Sequence, residues 1–217
     1  MTATGTRADI SHPPIDLDFP KLADGAAMWR IARDSQALDL NSSYSYLLWC
    51  RDFAGTSLVA RGVGKHAPRG TSADGSRAAP ASHHTEDRDT GERVTEGQDP
   101  ASGARIGEPV GFVTGYLRPE RPATLVIWQI AVDQAHRGRG LAAAMLDGLT
   151  GRLVGRGVRE VETTITPDNA ASIRLFTSFG ERHGAAVRRE VLFPGGLFPD
   201  GHESEVLYRI GPLPRTG

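Results

Sequence analysis

Hydrophobic and polar positions recur with two different periods along this chain, and the changes of period predict the order of its elements. Residues 15–20 alternate apolar and polar side chains, as a half-buried strand does. Two segments then repeat one face at helical spacing: Ala27, Met28 and Ile31 in the first, and Tyr44, Leu47, Leu48 and Arg51 in the second. Asp24 precedes the first segment and is expected to cap it. The first predicted elements are therefore a strand and two helices.

Strand-like runs become more frequent in the later part of the chain. Residues 56–61 and 109–116 are predicted to form two strands; if these pair as a hairpin, the segment between them only lengthens its loop. Residues 125–133 are the most strand-like run, and a glycine-rich turn joins them to a helix with one apolar side: Leu141, Met145, Leu146, Leu149 and Leu153. The pattern ends with a strand over residues 158–166, a helix to Phe179 and a strand over residues 205–210. This order predicts an α/β or α+β domain with a mixed sheet flanked by helices.

Two segments lack the apolar side chains that a folded core needs. Residues 65–105 contain no aromatic side chain, and Val94 is their only large aliphatic one. We expect a disordered insertion there, between these two predicted strands. A domain can tolerate it, because each doubling of loop length costs only about 0.6 kcal/mol. With a flexible leader over residues 1–14 and a tail over residues 213–217, one folded domain is predicted over residues 15–212.

Composition and charge narrow the classes of partner. The 217 residues carry a formal net charge of −1, so no basic excess points to nucleic acid or to an anionic membrane. No run approaches the roughly 20 apolar residues that span a bilayer. Cys50 is the only cysteine and lies in an apolar run, which favours a buried thiol. His83 and His84 lack further ligands at a fixed spacing, so no metal site is predicted. A cytoplasmic protein is expected.

The glycine-rich turn between residues 133 and 141 is the strongest candidate for a binding site. It follows a strand and opens a helix, whose first amides lack intrahelical acceptors and lie at the positive end of the helix dipole. Gly138 and Gly140 allow the backbone to approach a phosphate closely, and Arg137 and Arg139 add positive charge. The spacing differs from that of the Walker loop and of the dinucleotide fingerprint.

The pattern Arg137-x-x-Gly140-x-Ala142 after a strand resembles the pyrophosphate motif of the GNAT acetyltransferases. The resemblance implies a GNAT-type mixed, mostly antiparallel sheet and acetyl-CoA as cosubstrate. It implies that the cosubstrate contacts two regions: Ile130, Ala131, Val132, Arg137, Gly138, Arg139, Gly140, Leu141 and Ala142 in the first, and Asn169, Ser172 and Phe176 in the second.

Phe176 departs from the family pattern. Many members have a tyrosine there, taken as the acid that protonates the departing thiolate, and phenylalanine has no proton to donate. Water or another residue therefore protonates the thiolate, or the thiolate leaves as an anion. The last route is chemically reasonable, because a thiol has a pKa of about 8.5.

A longer resemblance concerns the acceptor. Residues 38–48, 110–119 and 126–129, together with runs near His202 and Arg209, resemble the GNAT enzymes that acetylate L-2,4-diaminobutyrate in the biosynthesis of the compatible solute ectoine. The resemblance covers residues 15–212 apart from the insertion. It implies acetylation of the 4-amino group and a homodimer.

An acceptor with two ammonium groups and one carboxylate needs both acids and cationic donors. Asp39 and Glu205 are the predicted partners of the ammonium groups, and three further residues are predicted to line the pocket: Tyr44, Trp128 and His202. Trp128 has the equally plausible role of a core aromatic on its strand. Three arginines are candidates for the carboxylate, and the sequence does not separate them: Arg51, Arg118 and Arg209.

The resemblance implies direct transfer, in which the amine attacks the thioester. An alkylamine with a pKa near 10.4 costs roughly 4 to 5 kcal/mol to present uncharged at pH 7, so a base is expected. Glu205 and His202 are the candidates, with Asp39 next, and a backbone N–H between residues 129 and 132 is expected to hold the oxyanion.

A Cys50 nucleophile has no support in the sequence. The alternatives are a GNAT enzyme for other amines, such as protein N-termini, and an inactive acyl-CoA sensor.

Overall fold

The structure is a computed structural model that describes residues 15–35, 38–63 and 106–214. The predicted leader over residues 1–14 and the predicted insertion over residues 65–105 lie outside the described residues. Within the described ranges, no helix is both long and apolar enough to span a membrane.

Seven strands and four α-helices follow one another in the described chain. The strands are β1 (Ile15–Asp18), β2 (Leu58–Val63), β3 (Ile106–Arg118), β4 (Arg121–Val132), β5 (Glu160–Ile165), β6 (Ala186–Phe193) and β7 (Glu205–Gly211). The helices are α1 (Gly25–Ser35), α2 (Ser43–Asp52), α3 (Leu141–Val154) and α4 (Ala170–Arg182). The first two helices precede β2, α3 joins β4 to β5, and α4 joins β5 to β6.

All seven strands form one sheet in the order β1-β2-β3-β4-β5-β7-β6. Strand β4 pairs with β5 in parallel, and the other five neighbouring pairs are antiparallel. Strands β2 and β3 are the two strands predicted on either side of the long segment, and they do pair with each other. The fold class is also as predicted: a mixed, mostly antiparallel sheet flanked by helices.

Two apolar clusters cover the two faces of the sheet. On one face, the stripe of α3 predicted from the sequence packs with Phe176 and Phe179 of α4: Leu141 is buried, and Met145, Leu146, Leu149 and Leu153 are fully buried. On the other face, α1 and α2 bury Met28, Tyr46 and Cys50 against Phe112 and Val59. The helices thus form an outer layer on each side of the sheet.

Strand β6 has no counterpart in the predicted elements. Its eight residues are almost all exposed, and its sequence AVRREVLF lacks a clean alternation of apolar and polar side chains. It is an edge strand: within the described residues it pairs with β7, and it also contacts α4, where Val187 packs against the core.

Two local predictions also change. Asp24 does precede α1, but the prediction that it caps α1 is wrong. Its carboxylate accepts the Lys21 N–H at 2.7 Å and pairs with Arg61 at 2.6 Å. The packed chain also extends past residue 212, because Leu213 is buried and its N–H donates to the Arg159 carbonyl at 2.7 Å.

Candidate active site

Strands β4 and β5 separate partway along their length, and this opening organises the candidate site. Their pairing ends at Val126 and Glu162. Beyond that point β4 continues to Val132, so a wedge opens between the two strands. The predicted cosubstrate residues Ile130, Ala131 and Val132 lie on the part of β4 that pairs with β3 but not with β5.

A bulge at the start of the wedge turns Trp128 outward. Gln129 pairs with Thr114 of β3, whereas Ile127 pairs with Gly115, so Trp128 is the extra residue on β4. Its side chain is 53% exposed and its ring centroid lies 6.2 Å from that of Trp49. Trp128 is therefore not a core aromatic, which removes one of the two roles that the sequence left open.

The glycine turn has the backbone geometry of an anion site. Gly138 and Gly140 have positive φ angles of 74° and 72°, and a Cβ added to either would meet no atom within 4 Å. The backbone conformation, rather than crowding, therefore favours glycine here. The Ala144 N–H donates to the Gly140 carbonyl at 2.9 Å as α3 begins. Helix geometry leaves the amides of Leu141, Ala142 and Ala143 without intrahelical acceptors, which suits an anion at the helix N-terminus.

Arg137 anchors this turn to the rest of the domain. Its Nε donates to the Val132 carbonyl at 3.2 Å and its Nη2 to the Ser35 carbonyl at 3.3 Å. The side chain thereby ties the end of β4 to the end of α1 while its charge stays beside the turn. Arg139 lies between the two glycines and is half-buried.

The start of α4 forms the opposite side of the wedge. Asn169 is the N-cap, and its Oδ1 accepts the Ser172 N–H at 3.0 Å. Phe176, one turn further, is 2% exposed and belongs to the core beneath the helix. The side chain that replaces the family's tyrosine therefore packs as an ordinary core residue.

A cavity of about 1120 Å³ lies beside the wedge and collects most of the predicted acceptor residues. It is lined by Asp39, Trp128, His202 and Glu205, together with Arg118 and Arg209. Tyr44 does not line it; this residue is on α2 with 63% of its surface exposed. Arg51 is also elsewhere, paired with Asp52 at 2.8 Å on the surface of α2. The structure thus brings together four of the five predicted acceptor residues. Of the three candidate arginines, Arg118 and Arg209 line the cavity and Arg51 does not.

His202 is held between two acids. Its Nδ1 lies 2.7 Å from the Glu203 carbonyl, which can only accept, so this nitrogen carries a proton. Its Nε2 lies 3.2 Å from Asp39 Oδ2 and 3.7 Å from Glu205 Oε1. The Glu203 carbonyl and the Asp39 carboxylate together raise the pKa of His202 above its ordinary value. This environment favours the imidazolium form.

Glu205 has the most unusual environment of the group. Its side chain is 17% exposed, and Oε2 is a buried atom without a hydrogen-bond partner among the described residues. An unpartnered carboxylate oxygen away from water is costly, so the site favours an incoming N–H donor. Asp39, by contrast, is 84% exposed at the rim.

The same three side chains have the atom types of a metal site. Ligand-type atoms of Asp39, His202 and Glu205 all lie within 4.8 Å of one another. The two carboxylates of this group are also acceptors for the N–H donors of an ammonium group.

A buried network that the sequence did not reveal supports Asp39. The Tyr46 hydroxyl donates to Gln129 Oε1 at 3.0 Å, and Gln129 Nε2 donates to the Asp39 carbonyl at 2.9 Å. Gln129 is 6% exposed and Tyr46 is fully buried, so this link is protected from water. It fixes the loop that carries Asp39 to the strand beside the wedge. A polar glutamine within an apolar strand pattern was the available signal.

Cys50 is confirmed as a buried thiol. It is 5% exposed, and its Sγ lies 3.6 Å from the sulfur of Met28. Burial raises its pKa from 9.0 to about 11, so almost none of it is thiolate at neutral pH. A covalent route through Cys50 is therefore unfavourable.

Comparison with known proteins agrees with this geometry. The model of the Acetyltransferase (GNAT) family matches residues 73–180. The L-2,4-diaminobutyric acid acetyltransferase of Streptomyces anulatus is 54% identical over 201 residues, which cover 92% of this chain and 90% of that protein. The enzyme of the same name from Streptomyces coelicolor is 51% identical over 216 residues, 99% of each protein. The chain therefore belongs to the GNAT family of acetyltransferases.

One solved structure narrows the relationship within that family. Diaminobutyrate acetyltransferase EctA from Paenibacillus lautus, in complex with its substrate L-2,4-diaminobutyric acid and coenzyme A, is 32% identical to this chain. It matches with a TM-score of 0.69 and covers 94% of this chain and 99% of that one. The resemblance to diaminobutyrate acetyltransferases that the sequence motifs indicated is thus confirmed.

Proposed function

We propose that this enzyme transfers the acetyl group of acetyl-CoA to the 4-amino group of L-2,4-diaminobutyrate. The product is N4-acetyl-L-2,4-diaminobutyrate, an intermediate of ectoine, a compatible solute made under osmotic stress. The names of the relatives support this substrate over other amines. The observation that carries it is the buried, unpartnered Oε2 of Glu205 in a cavity beside the wedge, which supplies the acceptor site that an ammonium group requires.

The residues of the wedge fit the cosubstrate. Its pyrophosphate suits the glycine turn, because both glycines have positive φ, leave open space and precede the N-terminus of α3. Arg137 adds positive charge there. The pantetheine arm suits the free edge of β4 beyond Val126, where backbone groups no longer pair with β5.

Glu205 is the proposed general base for the attacking amine. In this proposal Glu205 accepts a proton from the substrate ammonium group, directly or through a water molecule, which gives the nitrogen the lone pair that attacks the acetyl carbon. The second proton that the nitrogen loses as the amide forms passes to water. His202 is the weaker candidate because its environment favours the protonated form, so its role is to hold Glu205 and Asp39 in place. Asp39 binds an ammonium group at the rim.

The remaining steps concern charge on the acetyl oxygen and on sulfur. A β4 backbone N–H between residues 129 and 132 faces the developing oxyanion in this proposal. As the carbon–sulfur bond breaks, the electron pair leaves with sulfur. Phe176 is buried and has no proton to give, so the thiolate departs as an anion or takes a proton from water.

An assay of acceptor choice tests the proposal. Purified protein is mixed with acetyl-CoA and either L-2,4-diaminobutyrate or short peptides with free N-termini, and the released thiol is measured. We expect turnover with diaminobutyrate and a kcat/KM at least about 100-fold lower with the peptides. The opposite preference would assign the chain to the protein-modifying branch of the family.

Oligomeric state and location are part of the same proposal. Among the described strands, β6 forms one edge of the sheet, and Val191, Leu192, Phe193 and Leu197 on or near it are exposed. An exposed apolar strand edge favours a second copy as a partner, which supports a homodimer. Consumption of acetyl-CoA supports a cytoplasmic location.

A further inference from the structure

The acceptor cavity has a cationic end that the acetyl-transfer chemistry does not use. Glu162 on β5 is fully buried and accepts hydrogen bonds from three arginines: Arg118 at 2.7 Å, Arg121 at 2.7 Å and Arg209 at 3.0 Å. Burial alone raises the pKa of Glu162, but the three donors outweigh it and hold the pKa below its ordinary value. The carboxylate is therefore ionised, and it fixes the arginines in place.

Two of these arginines keep a guanidinium nitrogen that Glu162 does not bind. Arg118 uses Nε and Nη2 for Glu162, and Arg209 uses Nε for Glu162 and Nη1 for Glu190. The third nitrogen of each guanidinium therefore has no hydrogen bond among the described residues. Both side chains line the cavity and are about one-third exposed.

Strand β7 carries residues from both charged ends of the cavity, the acidic end at Glu205 and the cationic end at Arg209. Glu205, Leu207 and Arg209 alternate along the strand, and all three line the cavity. At about 3.3 Å per residue, the Cα atoms of Glu205 and Arg209 are separated by roughly 13 Å. The side chains of Glu205 and Arg209 extend toward each other and leave space between them for a short amino acid. Leu207 would then contact the methylene groups of that amino acid.

We propose that Arg118 and Arg209, held by Glu162, bind the carboxylate of the acceptor and make the enzyme selective for diamino acids over simple diamines. This rests on the proposed function and adds the subsite that recognises the acid group. Arginine suits that task because its planar donors match a carboxylate. The cavity then pairs each charge of the acceptor with its opposite.

A matched pair of acceptors tests the proposal. 1,3-Diaminopropane is diaminobutyrate without its carboxylate, and it keeps both amines. We expect the wild-type enzyme to prefer diaminobutyrate by about 10- to 100-fold in kcat/KM, the range of one or two charged hydrogen bonds. Arg118→Gln and Arg209→Gln should each lower kcat/KM for diaminobutyrate by about tenfold or more and lower that for diaminopropane much less, so that the preference for diaminobutyrate falls. Circular dichroism checks that each variant is folded.

Arg51→Gln is the control, because Arg51 pairs with Asp52 away from the cavity. Its loss should leave kcat/KM unchanged for both acceptors. Equal wild-type kcat/KM for the two acceptors, or variants that lose both equally, would overturn the proposal. If neither acceptor is acetylated, the proposed function itself fails, which is a different outcome. If the glutamine variants do not fold, the methyl ester of diaminobutyrate decides with wild-type enzyme, since equal turnover of ester and acid also overturns the proposal.

Discussion

Glu205 and Asp39 carry carboxylates into the same cavity, but their surroundings differ, and we therefore propose different tasks for them. Glu205 is mostly buried and has one oxygen without a partner, whereas Asp39 is exposed at the rim. A desolvated carboxylate next to the reacting nitrogen suits proton transfer. An exposed carboxylate at the edge suits binding of an ammonium group in both ground and transition states.

Glu205→Gln should therefore lower kcat by about 10²–10⁴-fold, the range for loss of a general base. Its residual rate should rise with pH, because uncharged amine becomes more abundant without help. Asp39→Asn should raise KM with little change in kcat. Steady-state kinetics between pH 6.5 and 9.5 measures both, with Glu181→Gln on the exposed side of α4 as control. A normal kcat in Glu205→Gln would move the base to His202 or Asp39.

His202 gives a pH dependence whose sign follows from its contacts. Its pKa in the folded protein is raised by the Glu203 carbonyl and the Asp39 carboxylate. The stability it contributes is therefore complete below the unfolded value of about 6.5 and is lost as pH rises through the folded value. Thermal unfolding of wild type and His202→Asn should differ most near pH 6 and least near pH 9. A difference that grows with pH would contradict the contacts described above.

At the scale of elements, the glycine turn and α3 act as one unit, because the positive φ of Gly140 directly precedes the first helical residue. A side chain here meets no atom within 4 Å, so a substitution acts through backbone conformation and through charge. Aspartate and asparagine have nearly the same shape and both tolerate this conformation better than most residues. They therefore separate the two effects.

Gly140→Asp should weaken binding of CoA by at least about tenfold more than Gly140→Asn, since only the aspartate places a negative charge at the helix N-terminus. Titration calorimetry with CoA measures both dissociation constants. Circular dichroism checks that both variants fold. Equal affinities in the two variants would place the pyrophosphate elsewhere.

Over the whole molecule, the sequence predicted what depends on local pattern and left out what depends on distant contacts. The apolar stripe of α3 and the glycine turn are local, and both were predicted with their residues. The His202–Asp39 contact joins residues 163 positions apart, so only their chemical types suggested a shared site. The Tyr46–Gln129 network and the outward turn of Trp128 depend on a bulge that no spacing signals. Strand β6 was missed because burial does not shape its sequence.

The most direct measurement of the central claim is the structure of the product. Acetyl-CoA and L-2,4-diaminobutyrate are incubated with the enzyme, and the product is analysed by mass spectrometry and two-dimensional NMR. The account predicts one added acetyl group, with its amide proton coupled to the C4 methylene protons. An amide coupled to the C2 proton, or no acetylated diaminobutyrate at all, would contradict it.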